Sequence, residues 1–232
     1  KKKRQILKCK NLNIEDSNVS KQFDKGKSIL NITPLEFYNN IVPYDINRKI
    51  VLINDPNKKY YKMYDIKYNK NIINGYSNNY INVPLNIFKQ VTIKSIKNKE
   101  PVWFACDVDK DYNSNHGIMH NDIYNKYKIL NTKLSISKKY NLKYNISTPN
   151  HAMLLTGMYL NKSNKPIRWL VENSWGEKNN SGMIYMFDNW FDKYVYQVII
   201  DKKYLSKTIL DIANKKDSIK LDPWDRFGNV AT

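Results

Sequence analysis

Hydrophobic positions along this chain change their spacing near the middle. Before residue 100 the clearest groupings suit helices, and after Pro101 they become short runs suited to strands. Residues 1–31 are polar and lysine-rich and are expected to be a basic lead-in. Thr33-Pro34-Leu35-Glu36-Phe37 predicts a helix start. Thr33 can cap, Pro34 suits the first helical position, and Glu36 completes a capping box. Ile50-Val51-Leu52-Ile53 predicts a short buried strand, closed by Asn54-Asp55-Pro56. Val83-Pro84-Leu85 opens a second helix, with Leu85, Phe88, Val91, Thr92, Ser95 and Ile96 spaced for one inward face.

Strands are then expected at 101–108, 152–159, 167–172, 183–187 and 194–200. Turn residues at 161–164 and 179–182 separate them. Strands so spaced suggest an antiparallel sheet or barrel within an α+β chain. The tail 221–232 contains Pro223, Trp224 and Gly228 and reads as an extended arm rather than a helix. The expected organisation is a lead-in over 1–31, a mixed helical insertion over 32–99, a β-barrel lobe over 100–205, and a C-terminal helix and arm over 206–232. There is no internal repeat.

Composition narrows this picture. The 232 residues are 41% hydrophobic and 26% charged, enough for one large domain or two small ones. The net charge of +18 would suit nucleic acid. The excess is almost all lysine, however, and Asn, Ile and Tyr are abundant too, as AT-rich coding would produce. The basic residues are scattered, so composition bias is the simpler reading and nucleic acid the weaker alternative. Lys1–Arg4 is followed by Gln5-Ile6-Leu7-Lys8, not by the apolar run of a signal peptide. No stretch nears the roughly 18 apolar residues of a membrane span. Two cysteines, Cys9 and Cys106, fit a reducing compartment, and a cytoplasmic location is expected. The chain does not begin with Met, which suggests the downstream part of a longer product.

The candidate chemistry lies in Asn150-His151-Ala152-Met153 and, 22 positions after the histidine, in Asn173-Ser174-Trp175-Gly176. Histidine takes and returns protons near neutral pH. An asparagine can orient its ring without adding negative charge, which suits a thiolate–imidazolium pair. Trp175 would shield their hydrogen bond from water.

These motifs resemble the C-terminal half of the bleomycin hydrolase and aminopeptidase C family of papain-like cysteine peptidases. The resemblance also rests on Ile32–Tyr38, Leu52–Pro56, Pro101–Val108, Trp190–Tyr196 and the ending Pro223–Thr232. It implies a papain-like fold in which this chain supplies the β-barrel lobe, with His151 as general base and acid and Asn173 as its orienter. It further implies peptide substrates, no cofactor and a homo-oligomer, often a hexamer. By the same resemblance the terminal arm lies in the cleft. There Ala231 or Thr232 presents a carboxylate to a substrate's free ammonium group, which makes the enzyme an aminopeptidase.

The nucleophile is the missing part. Cys9 lies 142 positions before His151, within the roughly 130–150 of papain-type enzymes. Its surroundings do not fit: Lys10 follows it, Lys3 stands where the family's oxyanion glutamine would be, and Asn11-Leu12-Asn13 starts a helix poorly. Cys106 sits within an apolar strand and reads as a buried, inert thiol. The helical lobe bearing the cysteine is therefore expected upstream or on another polypeptide. A catalytically inactive remnant that kept the fold for binding is the alternative. His116 and His120 suggest zinc only by spacing, and Asp107, Asp109 and Asp111 begin a calcium loop that lacks its glycine and closing glutamate, so no metal is expected.

Overall fold

The computed structural model describes residues 33–41, 44–70, 72, 75, 78–124, 126–132, 136–176, 182–215 and 217–228. The chain divides into a unit over 10–48 and a second one built on 49–232.

Within the first unit, α1 (Pro34–Ile41) begins with the reciprocal cap expected from its sequence. The Thr33 N–H donates to Glu36 Oε2 at 2.8 Å, and the Glu36 N–H donates to Thr33 Oγ1 at 3.3 Å. The Tyr38 hydroxyl donates to the carbonyl of Tyr44 at 3.0 Å.

The second unit runs β1 (Lys49–Ile53), β2 (Lys62–Ile66), β3 (Asn79–Asn82), α2 (Leu85–Lys97), β4 (Val102–Cys106), β5 (Tyr112–Asn113) and β6 (Ile118–Met119). It continues with α3 (Lys126–Leu130), α4 (Lys138–Lys143), β7 (His151–Leu160), β8 (Pro166–Glu172), β9 (Met183–Phe187), α5 (Asp188–Tyr194), β10 (Val195–Asp201), α6 (Lys207–Lys215) and β11 (Ser218–Leu221). Among the described residues the strands form one sheet in the order β11-β2-β3-β1-β10-β4-β7-β8-β9-β6-β5. From β1 to β9 that order is antiparallel throughout.

Helix α2 buries Phe88, Val91, Thr92, Ser95 and Ile96, the face its spacing predicts. Phe88 meets Phe191 of α5 with centroids 5.9 Å apart, and Phe191 stacks on Trp169 of β8 at 4.7 Å. This core lies against the middle of the sheet and fixes the strands that carry the candidate site. A smaller cluster joins Ile53, Ile66, Tyr80, Leu142, Tyr196 and Phe227.

Two features depart from the sequence-based expectation. β2 and β3 add strands within the mixed insertion 32–99, where β1 was the one strand expected. Asn82 on β3 is buried because its side chain serves the backbone. Its Oδ1 accepts from the Asp55 N–H and its Nδ2 donates to the Asp55 carbonyl, both at 2.9 Å. α5 occupies 188–194, and the following strand begins at Val195. The last described segment, expected as an extended arm, is pinned: Phe227 is fully buried, and Lys58 bridges Asp55 at 2.7 Å and Asp225 at 3.0 Å. Arg226 adds a hydrogen bond from Nη2 to the Lys143 carbonyl at 3.0 Å.

Among the described residues no helix is long and apolar enough to cross a membrane.

Candidate active site

β7 and β8 form a hairpin whose open end carries His151 on one arm and Asn173 just past the other. The pairing includes Leu154↔Glu172 and Leu155↔Val171, then shifts by a residue at Thr156 and shifts back beside Ile167. On its other edge β7 pairs with β4, in the register Val102↔Leu155, Phe104↔Met153 and Cys106↔His151. Alternation along β7 puts His151 on the face of the buried Met153 and Leu155.

The imidazole Nε2 of His151 lies 3.0 Å from Asn173 Oδ1. The Ser174 N–H also donates to that oxygen, at 2.8 Å. A backbone N–H requires an acceptor, so it fixes which way the Asn173 amide faces. Nε2 must therefore carry the hydrogen and donate it, and the neutral ring keeps its lone pair on Nδ1. Among the described residues nothing bonds to Nδ1. The Asn173 N–H donates to the Gly182 carbonyl at 2.9 Å, which ties the chain beyond β8 to the start of β9. At Gly182 (φ +71°) a Cβ would come within 3.1 Å of the Asn173 carbonyl, so glycine is required there.

Trp175 covers the pair from one side. Its ring centroid lies 4.9 Å from that of His151, and 6.4 Å from that of Tyr112. The indole is 49% exposed, so it shields one face and leaves the rest open.

Cys106 is the cross-strand neighbour of His151 and has no accessible surface. Burial pushes its thiol well above the ordinary range, and the carboxylates of Asp107 and Asp109 push it further the same way. It is inert as a nucleophile. Cys9, Ala231, Thr232 and the lead-in 1–31 lie outside the described residues. His116 and His120 do not converge on a shared site. His116 Nδ1 meets Asn113 Oδ1 at 3.0 Å, whereas His120 accepts from the Asp122 N–H at 3.1 Å and meets Asn189 at 3.2 Å. Asp111 is engaged by Lys126 at 2.5 Å and by the Tyr194 hydroxyl at 2.8 Å.

One neighbour escaped the sequence reading. Asn150 makes three side-chain hydrogen bonds to residues 107–109. Its place directly before the histidine was the available signal.

Residues 9–228 match the model of the Peptidase C1-like family. The chain is 40% identical over 208 residues to an aminopeptidase C of Listeria innocua, covering 88% of this chain and 47% of that protein. It is 36% identical over 208 residues to the bleomycin hydrolase of Homo sapiens, covering 86% and 46% respectively. Among solved structures it is similar to PepW of Lactobacillus rhamnosis, with a TM-score of 0.82 at 36% identity, over 84% of this chain and 45% of that one. The chain thus spans about half the length of the relatives it matches.

Proposed function

Since the chain belongs to the Peptidase C1-like family, we propose that it supplies the histidine and asparagine of a cysteine-type aminopeptidase that releases N-terminal residues from peptides. The 3.0 Å contact between His151 Nε2 and Asn173 Oδ1 carries this reading. With Nε2–H committed to the asparagine, Nδ1 is the proton acceptor for a thiol. His151 removes the thiol proton, and the thiolate attacks the scissile carbonyl. The imidazolium then protonates the leaving amine, giving an acyl-enzyme that water hydrolyses with His151 again as base. Asn173 holds the ring through both changes of charge. Trp175 limits competition from water.

The sulfur comes from outside these described elements, because Cys106 is buried and its thiol is held protonated. A helical lobe, upstream or on a separate polypeptide, would provide it. The name of the Listeria innocua relative supports the aminopeptidase assignment. In this reading Thr232, or Ala231 once Thr232 is trimmed, carries the carboxylate that receives the substrate's ammonium group, from a segment pinned at Phe227. Homo-oligomerisation and a cytoplasmic site of action belong to the same proposal.

The test is complementation. Residues 1–232 are mixed with the half of the Listeria innocua aminopeptidase C that this chain does not cover, and assayed on an aminoacyl fluorogenic substrate. Thiol-dependent turnover that His151→Ala abolishes is expected from the mixture only. Turnover by 1–232 alone that Cys9→Ala removes would overturn the external sulfur. A mixture that binds but never turns over would favour the inactive remnant.

A further inference from the structure

His151 is the first residue of β7, and its backbone is held unevenly. On the β8 side the ladder stops at Leu154↔Glu172, three residues short of it. On the β4 side Cys106↔His151 is the last rung. End rungs fray first unless something closes them. Here Asn150 does. Its backbone N–H donates to the Cys106 carbonyl at 2.9 Å. Its Oδ1 accepts from the Val108 N–H at 3.0 Å. Its Nδ2 donates to Asp107 Oδ1 at 3.0 Å and to Asp109 Oδ2 at 2.8 Å. An exposed side chain thus turns both its N–H donors and its carbonyl oxygen onto the turn that follows β4.

The chemistry selects an amide. The turn presents one N–H and two carboxylates, and only a group with an acceptor and two donors at this reach meets all three. A carboxylate at 150 would keep the Val108 bond but would face Asp107 and Asp109 with a like charge.

We infer that Asn150 is a positioning residue for His151, clamping the 107–109 turn to the start of β7 so that the imidazole stays aligned on Asn173. The inference rests on reading His151 as the proton carrier.

Its test reads the ring itself. Chain 1–232 is labelled with ¹⁵N-histidine, and the His151 signals are identified by their loss in His151→Gln. In the parent, the Nε2–H tautomer with a proton protected from water is expected, and Asn173→Ala should remove that protection. Asn150→Ala should speed exchange of this proton about tenfold, with the amides of Leu155 and Val198 in the sheet interior unchanged. Asn150→Asp, which alters no shape, should do the same at pH 7. Adding Asp109→Asn to it should restore part of the protection, because donor and acceptor have then traded places at 109 while Asp107 still opposes the charge at 150. Unchanged exchange in both single variants overturns the role of Asn150, as does equal loss of protection in the sheet interior. A parent with no protected Nε2–H refutes the His151–Asn173 reading itself, a result separable from the first two.

Discussion

Lys138 offers the sharpest energetic test of the fold. It opens α4, is buried, and donates from Nζ to Asn54 Oδ1 at 2.9 Å and to the Val195 carbonyl at 2.6 Å. The rings of Tyr196 and Phe88 lie 5.2 and 5.8 Å away. A neutral amine has two N–H donors and an ammonium three, so the two acceptors suit the neutral form. Burial lowers the Lys138 pKa from 10.5 to about 7, against partial support for the cation from Asp192 and Asp55 and opposition from Lys89. Because the folded-state pKa is depressed, unfolding takes up a proton between pH 7 and 10.5. Stability from this group is full above 10.5 and is lost as pH falls through 7. The slope approaches 1.4 kcal/mol per pH unit, giving about 2 kcal/mol between pH 7 and 9. The raised tyrosines, Tyr80 (to about 12), Tyr194 and Tyr196, act in the opposite sense but only above pH 10. Urea unfolding of the parent and of Lys138→Met at pH 7, 8 and 9 measures the difference. The parent should gain stability with pH, and Lys138→Met should lose most of that gain. Equal slopes in the two proteins would refute the reasoning, whatever their absolute stabilities.

Two further outcomes follow from packing. Phe227→Ala opens the smaller cluster around Tyr80 and Tyr196 and should cost about 3–5 kcal/mol in urea unfolding if the segment stays docked, less if it detaches; protease cleavage after Arg226 separates the two cases. Trp175→Ala exposes the His151–Asn173 bond and should lower kcat/KM of the complemented enzyme about tenfold, with the larger part in kcat.

Local signals made much of the architecture legible. The Thr33–Glu36 box, the buried face of α2 and the strands β1, β4, β7, β8 and β9 all announce themselves because each pattern reports its own neighbourhood. β2 and β3 do not, since Asp65 and Asn82 break the apolar pattern and their burial is settled by partners distant in sequence. α5 fills the stretch left between the expected strands at 183–187 and 194–200, where seven residues are too few for a helical spacing to show, and only Tyr194 was read as strand. In the site, motif spacing pointed to His151, Asn173 and Trp175. Asn150 stands in the same motif, but its bonds to 107–109 depend on the register of β4 against β7, which no local pattern carries.

The distance between the base and its amide is written into a single hairpin, which works like a caliper. Lengthening the tip at 161–165 would leave the jaws where they are. Inserting or deleting one residue in either arm would swing one jaw to the opposite side of the sheet. Natural length variation in this hairpin should therefore collect at the tip, and the paired kinks beside Thr156 and Ile167 should be kept or lost together.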